Sequence, residues 1–303
     1  MTSMPIPARA PVKLWLAPLL LACSALSWAG NHVVARSIAG EVPPASVNFL
    51  RWVVVAVLVG IFAQASIRRD WALMRRHWVV LAALGATGGG LFGTLQYVGL
   101  QYTTVINMGV LNSVAPAMLA LAGFIGFRDA LRPLQMLGIA VSLIGVVAIT
   151  SRLDLDVLAR MEFNRGDLII FANMALFAAY SACLRLRPPI ALGSFLFALS
   201  LAAAAVNLPW AIYEHAIGFE FVPGPKSLGA VAYAAIFTSI VAYLCWSRGV
   251  EAIGPGRAGV FLHLIPVFNF AFGSLLLGEP VQTYHGVGLA LILLGVALTT
   301  RGK

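Results

Sequence analysis

Residues 133–150 read PLQMLGIAVSLIGVVAIT and residues 283–300 read TYHGVGLALILLGVALTT. Each is an apolar run without a charge, long enough to cross a hydrocarbon core of about 30 Å as an α-helix. Moved along the chain by 150 positions, the first overlays the second, with Gly138 on Gly288 and Gly145-Val146 on Gly295-Val296. The same shift brings Gly99 to Gly249, Gly109-Val110 to Gly259-Val260, Pro116 to Pro266, Gly123 to Gly273 and Asp129 to Glu279. Single glycine matches are common in apolar chains. One fixed shift that aligns proline, acid and several glycines points to a duplication.

The composition agrees with a chain that lives in lipid. Of 303 residues, 60% are hydrophobic and 10% charged, against about 25% charged in soluble domains. Backbone polar groups in a bilayer must be satisfied internally, so only helices or closed barrels span it. The apolar runs are continuous and do not alternate, which selects helices. Ten are read, at 14–36, 45–66, 78–100, 104–127, 132–151, 167–186, 191–213, 228–249, 257–278 and 283–300. The first is too long for a signal-peptide core and is followed by further spans, so it is expected to be retained.

Five spans per copy is an odd number, so two copies must insert with opposite topology. The expected fold is an all-α integral membrane protein of ten transmembrane helices, built as two inverted five-helix repeats over 14–151 and 167–301. With both termini placed in the cytoplasm, most of the 20 basic residues fall on the cytoplasmic side, as the positive-inside rule asks. The net charge of +9 is therefore a topology signal and not a nucleic-acid footprint. Cys23, Cys183 and Cys245 lie inside apolar runs at spacings that suit neither a disulfide framework nor a metal.

Ionisable residues inside the membrane are costly and are functional candidates by default. All eleven Asp and Glu fall in loops or at helix ends, which argues against proton antiport through a buried carboxylate. Arg36, Arg51, Arg185 and Arg248 are each expected to reach an interface by snorkelling. His263 lies well inside the ninth span, either lining a cavity or bonded to a carbonyl freed by Pro266. Polar and aromatic residues at mid-membrane depth supply the candidate substrate site: Trp28, Asn31, Gln96, Tyr97, Asn112, Tyr180, Ser181, Ser239, Tyr243 and Trp246, together with His263. Pro116 and Pro266 are expected to kink equivalent helices, the pattern that marks transporter binding sites. Gly85, Gly89 and Gly93 line one face of the third helix and allow close helix approach. Trp15, Trp71 and Trp78 read as interfacial anchors. No catalytic, cofactor or metal constellation is read, and His215 with Glu220 lacks the nucleophile or ligand set that an enzyme would need.

This pattern resembles the drug/metabolite transporter superfamily, in its ten-helix branch with two EamA-type repeats. The resemblance rests on Trp28-Ala29-Gly30-Asn31 in helix one and Arg51 after a Pro-led start in helix two. It rests also on Pro116 followed by Asp129, on Pro266 followed by Gly278-Glu279-Pro280, and on the two Gly…Gly-Val runs. It covers nearly the whole chain. Asp129 departs from the Glu usual at that position. The resemblance implies a basket-shaped inverted-repeat fold, a bacterial cytoplasmic-membrane location and metabolite efflux by alternating access. The greatest similarity is to exporters of aromatic and other neutral amino acids. A zwitterion needs no buried counter-ion, which fits the missing carboxylates. The alternative is export of lipophilic drugs or organic cations. The expected partners are a small-molecule substrate and lipid. A monomer is compatible with the reading, and the sequence leaves the oligomeric state open.

Overall fold

The computed structural model describes residues 14–160, 163–253 and 260–301. These residues form helices and loops, with no strand among them. The helices are α1 (Ala17–Ser37), α2 (Pro44–Phe62), α3 (Gln64–Arg76), α4 (Trp78–Gly99), α5 (Val105–Asn112), α6 (Ala115–Phe127), α7 (Pro133–Thr150) and α8 (Leu155–Arg160). They continue as α9 (Arg165–Cys183), α10 (Leu192–Ala216), α11 (Pro225–Val250), α12 (Leu264–Leu277) and α13 (Thr283–Arg301).

Seven of these are long and apolar enough to span a bilayer alone, and α5 with α6 makes an eighth, bent by 45°. Two shorter apolar helices, Phe261–Leu277 and Thr283–Leu298, bring the total to the ten expected. The outer surface of the bundle carries large apolar side chains such as Phe62 (85% exposed) and Leu275 (82% exposed). Hydrophobic residues turned outward in that number require lipid and not water.

The pseudo-symmetry is visible where α7 crosses α13. The crossing is antiparallel, with Gly145 packed on Gly288 and Ile292, and Gly295 packed on Gly138 and Ser142. Equivalent residues exchange partners, so a two-fold axis passes between the helices. Ser142 Oγ donates to the Ile292 carbonyl at 3.4 Å, a bond between residues 150 apart. An antiparallel contact between copies of one motif is what inverted repeats produce.

Local devices repeat as well. α6 ends at Arg128 with φ 57° and α12 at Gly278 with φ 65°, both left-handed. The next residue folds back in each, Asp129 N–H to the Gly123 carbonyl and Glu279 N–H to the Gly273 carbonyl, the Schellman closure of a helix C-terminus. A 45° bend falls just before Pro116, where a kink was expected. α5 stops at Asn112 and α6 restarts with Pro116 in its first turn. The equivalent segment is a 3-10 turn, Val260–His263, before α12 with Pro266 in its first turn. A further pair has no sequence signature: α4 widens to π-helix at Ala86–Leu91 and α11 at Ala234–Val241. Such π segments often occur at functional sites.

Some expectations need correction. The connection after span two is itself helical, because α3 is amphipathic: Arg68, Arg69, Arg75 and Arg76 share it with the exposed Trp71. It reads as a helix lying along the interface. The loop between the repeats contains α8, and α10 runs to Ala216, beyond the expected end at 213. The start of the ninth span, with Arg257 and Gly259, lies outside the described residues, as do Arg9, Lys13 and Lys303.

Helix N-termini are capped across the bundle by carboxylates. Glu214 of α10 accepts from the Ala45 and Ser46 N–H groups of α2 at 2.8 Å each. Asp70 of α3 accepts from the Ala191 N–H and the Ser194 hydroxyl at the start of α10, both at 2.8 Å. Burial alone would raise the Asp70 pKa, but the bonds from Arg69, Ala191 and Ser194 outweigh it and hold the carboxyl below its ordinary range. A depressed pKa stabilises the fold above the usual Asp range, and that stabilisation is lost as the pH falls through the lowered value.

Candidate functional site

Arg51 is the organising residue of the bundle interior, and its expected snorkelling is not what the structure shows. It sits roughly 10 Å below the start of α2 at 1.5 Å per residue, and it is only 6% exposed. Its Nε donates to Ser239 Oγ of α11 at 2.7 Å. Ser239 in turn donates to the Ala234 carbonyl five residues back, at 2.9 Å. That carbonyl belongs to the π segment, whose wider turn leaves it available to a side chain. The hydroxyls of Tyr97 and Tyr243 stand beside the guanidinium, Tyr97 within hydrogen-bonding reach. Tyr97 donates onward to Asn31 Oδ1 of α1 at 2.9 Å. Tyr243 reaches Tyr180 of α9. The guanidinium also lies 4.9 Å from the ring centroid of Trp52.

Five sequence candidates therefore meet around Arg51: Asn31, Tyr97, Tyr180, Ser239 and Tyr243, drawn from α1, α4, α9 and α11. Trp28 and Trp246 pair separately between α1 and α11, with ring centroids 5.6 Å apart. The remaining candidates are not hydrogen-bonded into this cluster. Gln96 is buried beside Tyr97 in the chain, but neighbours on a helix point about 100° apart. Ser181 is half-buried. Asn112 is at the α5–α6 break with its Oδ1 buried and unpaired. His263 is half-buried in the 3-10 turn before α12.

The glycine face behaves as expected, although π geometry interrupts the strict spacing of four. A Cβ on Gly85 would meet the Leu199 carbonyl at 2.8 Å, one on Gly89 would meet Ala203 at 2.9 Å, and one on Gly93 would meet Asn48 at 2.8 Å. α4 thus packs on α10 and α2. The Gly89 carbonyl accepts from Trp52 Nε1 at 2.8 Å and from Asn48 Nδ2 at 3.2 Å.

Two buried histidine sites escaped the sequence reading. His32 of α1 is hydrogen-bonded through Nδ1 to the Asn269 amide of α12 at 3.0 Å. His285 of α13 belongs to a network with Asn107, Thr103 and Asp167 at one end of the bundle. His285 is the third residue of its helix. Asp167 read as a helix-end acid, yet it is fully buried. His215, in the last turn of α10, and Glu220, in the loop after it, do approach to 3.5 Å, but both are exposed.

The two ends of the bundle differ. On the face that carries the α1 C-terminus, Glu279 is 9% exposed and accepts from the Val105 and Ile106 N–H groups of α5 at 3.0 and 3.1 Å. Arg36 approaches it at 4.0 Å and donates to the Leu100 carbonyl at 2.9 Å. A cavity of about 450 Å³ adjoins them, lined by Arg36, Ala39, Gly40, Gln101, Tyr102, Leu277 and Glu279. On the opposite face the equivalent pair is Arg185 with Asp129, at 2.9 Å, and Asp129 is 51% exposed. Hydrogen bonds from Arg185 hold Asp129 below the usual carboxylate range.

Two repeats in antiparallel contact and a polar cluster fed by both make the architecture of a membrane carrier. Residues 15–151 and 164–301 match the EamA-like transporter family, and the chain belongs to that family. It is 26% identical over 304 residues to the uncharacterized transporter YetK of Bacillus subtilis, covering 96% of this chain and 89% of YetK. It is likewise 26% identical to the B. subtilis uncharacterized transporter YyaM over 82% of this chain and 80% of YyaM. The uncharacterized inner membrane transporter YedA of Escherichia coli K12 is 24% identical, with 95% of this chain and 92% of YedA covered. A solved crystal structure shares the fold at a TM-score of 0.60 and 22% identity, over 94% of this chain and 96% of that chain. The protein is a multi-pass membrane transporter.

Proposed function

We propose that this transporter exports small neutral or hydrophobic metabolites, aromatic and other apolar amino acids first among them, by alternating access across the bacterial cytoplasmic membrane. Both termini are cytoplasmic in this reading, and the repeats meet around the substrate. The observation that carries it is the convergence of Asn31, Tyr97, Tyr180, Ser239 and Tyr243 from both repeats on one buried cluster. Aromatic walls with a few directed polar groups suit a small amphiphile. Uptake of radiolabelled Phe, Thr and a lipophilic cation into liposomes holding the purified protein tests the reading. Saturable amino-acid flux is the expected result, and cation flux alone would replace the reading with drug export.

Alternating access gives Glu279 a role as the latch of the outer end. Its carboxylate closes the α5 N-terminus with charge-assisted bonds, which the helix dipole strengthens. Glu279→Ala should open that end. In a background without Cys23, Cys183 and Cys245, a cysteine at Asn31 should label several-fold faster with an impermeant thiol reagent applied outside. Equal labelling with and without Glu279 would remove the latch.

His263 is the candidate for contact with substrate or proton from the second repeat. His263→Ala should lower flux severalfold while the yield of folded protein holds. Unaltered kinetics in liposomes, with and without a pH gradient, would take His263 out of the site.

A further inference from the structure

Arg51 presents a charge problem that the fold does not solve by itself. A cation deep in a helix bundle is expensive and is ordinarily paired. Among the described residues no carboxylate lies within ion-pair distance of it. Its close neighbours are neutral hydroxyls and rings: Ser239, Tyr97, Tyr243 and Trp52.

The hydrogen-bond directions sharpen the point. A guanidinium carries five N–H donors in a planar fork and no acceptor. Ser239 takes the Nε–H, and its own proton goes to the Ala234 carbonyl. Tyr97 gives its proton to Asn31, so its oxygen can accept from Arg51. Ser239 holds the guanidinium at Nε, with Tyr97 beside it. They leave the fork of terminal nitrogens without an anionic partner. A carboxylate matches that fork with two parallel bonds.

We infer that Arg51 is the carboxylate-binding residue of the transport site, selecting substrates with one free carboxylate on an apolar or aromatic body. The inference rests on the reading of this cluster as the substrate site and names the group that the site recognises. It disfavours organic cations, because a buried cation repels them. It also replaces the expectation that a zwitterion needs no buried counter-ion. The carboxylate neutralises Arg51, the Tyr and Trp rings take the apolar body, and no acid of the protein is required.

The test is a binding series on the purified full-length protein, read as ligand-induced thermal stabilisation. The probes are L-phenylalanine, 3-phenylpropionate, L-phenylalanine amide and tetraphenylphosphonium. The two carboxylates should bind saturably, and the amide about tenfold or more weakly. In Arg51→Gln that preference should vanish, and in Arg51→Lys it should shrink, because a point charge cannot make the forked contact. If the variants do not fold, the ranking on the native protein still decides. Phenylalanine and its amide binding equally would overturn the role of Arg51 and leave amino-acid transport standing. So would a folded Arg51→Gln with the native ranking. Binding of 3-phenylpropionate without phenylalanine would uphold Arg51 and remove the amino-acid reading. Binding of tetraphenylphosphonium alone would overturn both.

Discussion

Gly145→Leu should leave no monodisperse protein after extraction. The α7–α13 crossing brings backbone against backbone at this position. A Cβ added to Gly145 would meet the Gly288 carbonyl at 2.9 Å, the Ile292 nitrogen at 3.0 Å and Ile292 Cγ1 at 2.7 Å. Two of these three atoms are main chain and cannot rotate away. The helices must separate, and with them the two-fold contact that joins the repeats. Overpacking a tight site typically costs about 1–3 kcal/mol, and a clash with main chain sits at or above the top of that range. In lipid no hydrophobic term returns the lost packing, since helix association there depends on close fit. Gly286→Leu is the matched control. It changes the same residue type two positions from Gly288 on α13, yet nothing lies within 4 Å of its added Cβ. It should extract and migrate like the parent. Size-exclusion profiles of the two variants decide the matter, and a normal Gly145→Leu peak would sink the assigned crossing.

Asp167→Ala should lower the thermal midpoint by about 6–10 °C, and Asp167→Asn by much less. Asp167 is fully buried and accepts from Thr103 Oγ1 and from Asn107 Nδ2, the latter at 3.1 Å to each oxygen. Asn107 Oδ1 is bonded to His285 Nε2 at 2.8 Å, and His285 Nδ1 accepts the Gln282 N–H at 2.8 Å. The ring is therefore the neutral tautomer with its proton on Nε2. The chain of bonds ties α9 to α5 and α13. Alanine leaves the Asn107 amide and the Thr103 hydroxyl buried without their acceptor, at roughly 1–3 kcal/mol for each group. Asparagine keeps one oxygen facing Asn107, and its amide can donate to Thr103. Light-scattering melts of the three proteins check this. Equal midpoints for Asn and Ala, both near the parent, would show that the network contributes no stability.

Much of the fold was legible because a bilayer constrains sequence strongly. A spanning helix must be apolar for about 20 residues, and an odd-numbered repeat must invert. The glycines at 138, 145, 288 and 295, the prolines at 116 and 266, and the acids at 129 and 279 all follow a single shift of 150. The sequence could not show that the two Gly…Gly-Val runs pack on each other, because a repeat states likeness and not contact.

The cluster was legible only in part. Polar and aromatic residues at mid-depth were countable, and five of them met. Arg51 was misread because depth alone leaves two outcomes for an arginine: a stem that reaches the headgroups, or a neighbour that holds it inside. Ser239 of α11 is that neighbour, nearly two hundred residues away. His32, Asp167 and His285 were missed for the same reason. Each looked ordinary until its partner on another helix was known.

Hydropathy, charge bias and the internal repeat thus determined the bundle, its ten spans and its inversion, since each depends on how a segment meets lipid or on chain-length arithmetic. Tertiary structure alone decided which polar groups are paired and, among the described residues, which buried charge is left without a counter-ion. Those properties depend on distances between helices, and helical periodicity carries no record of them.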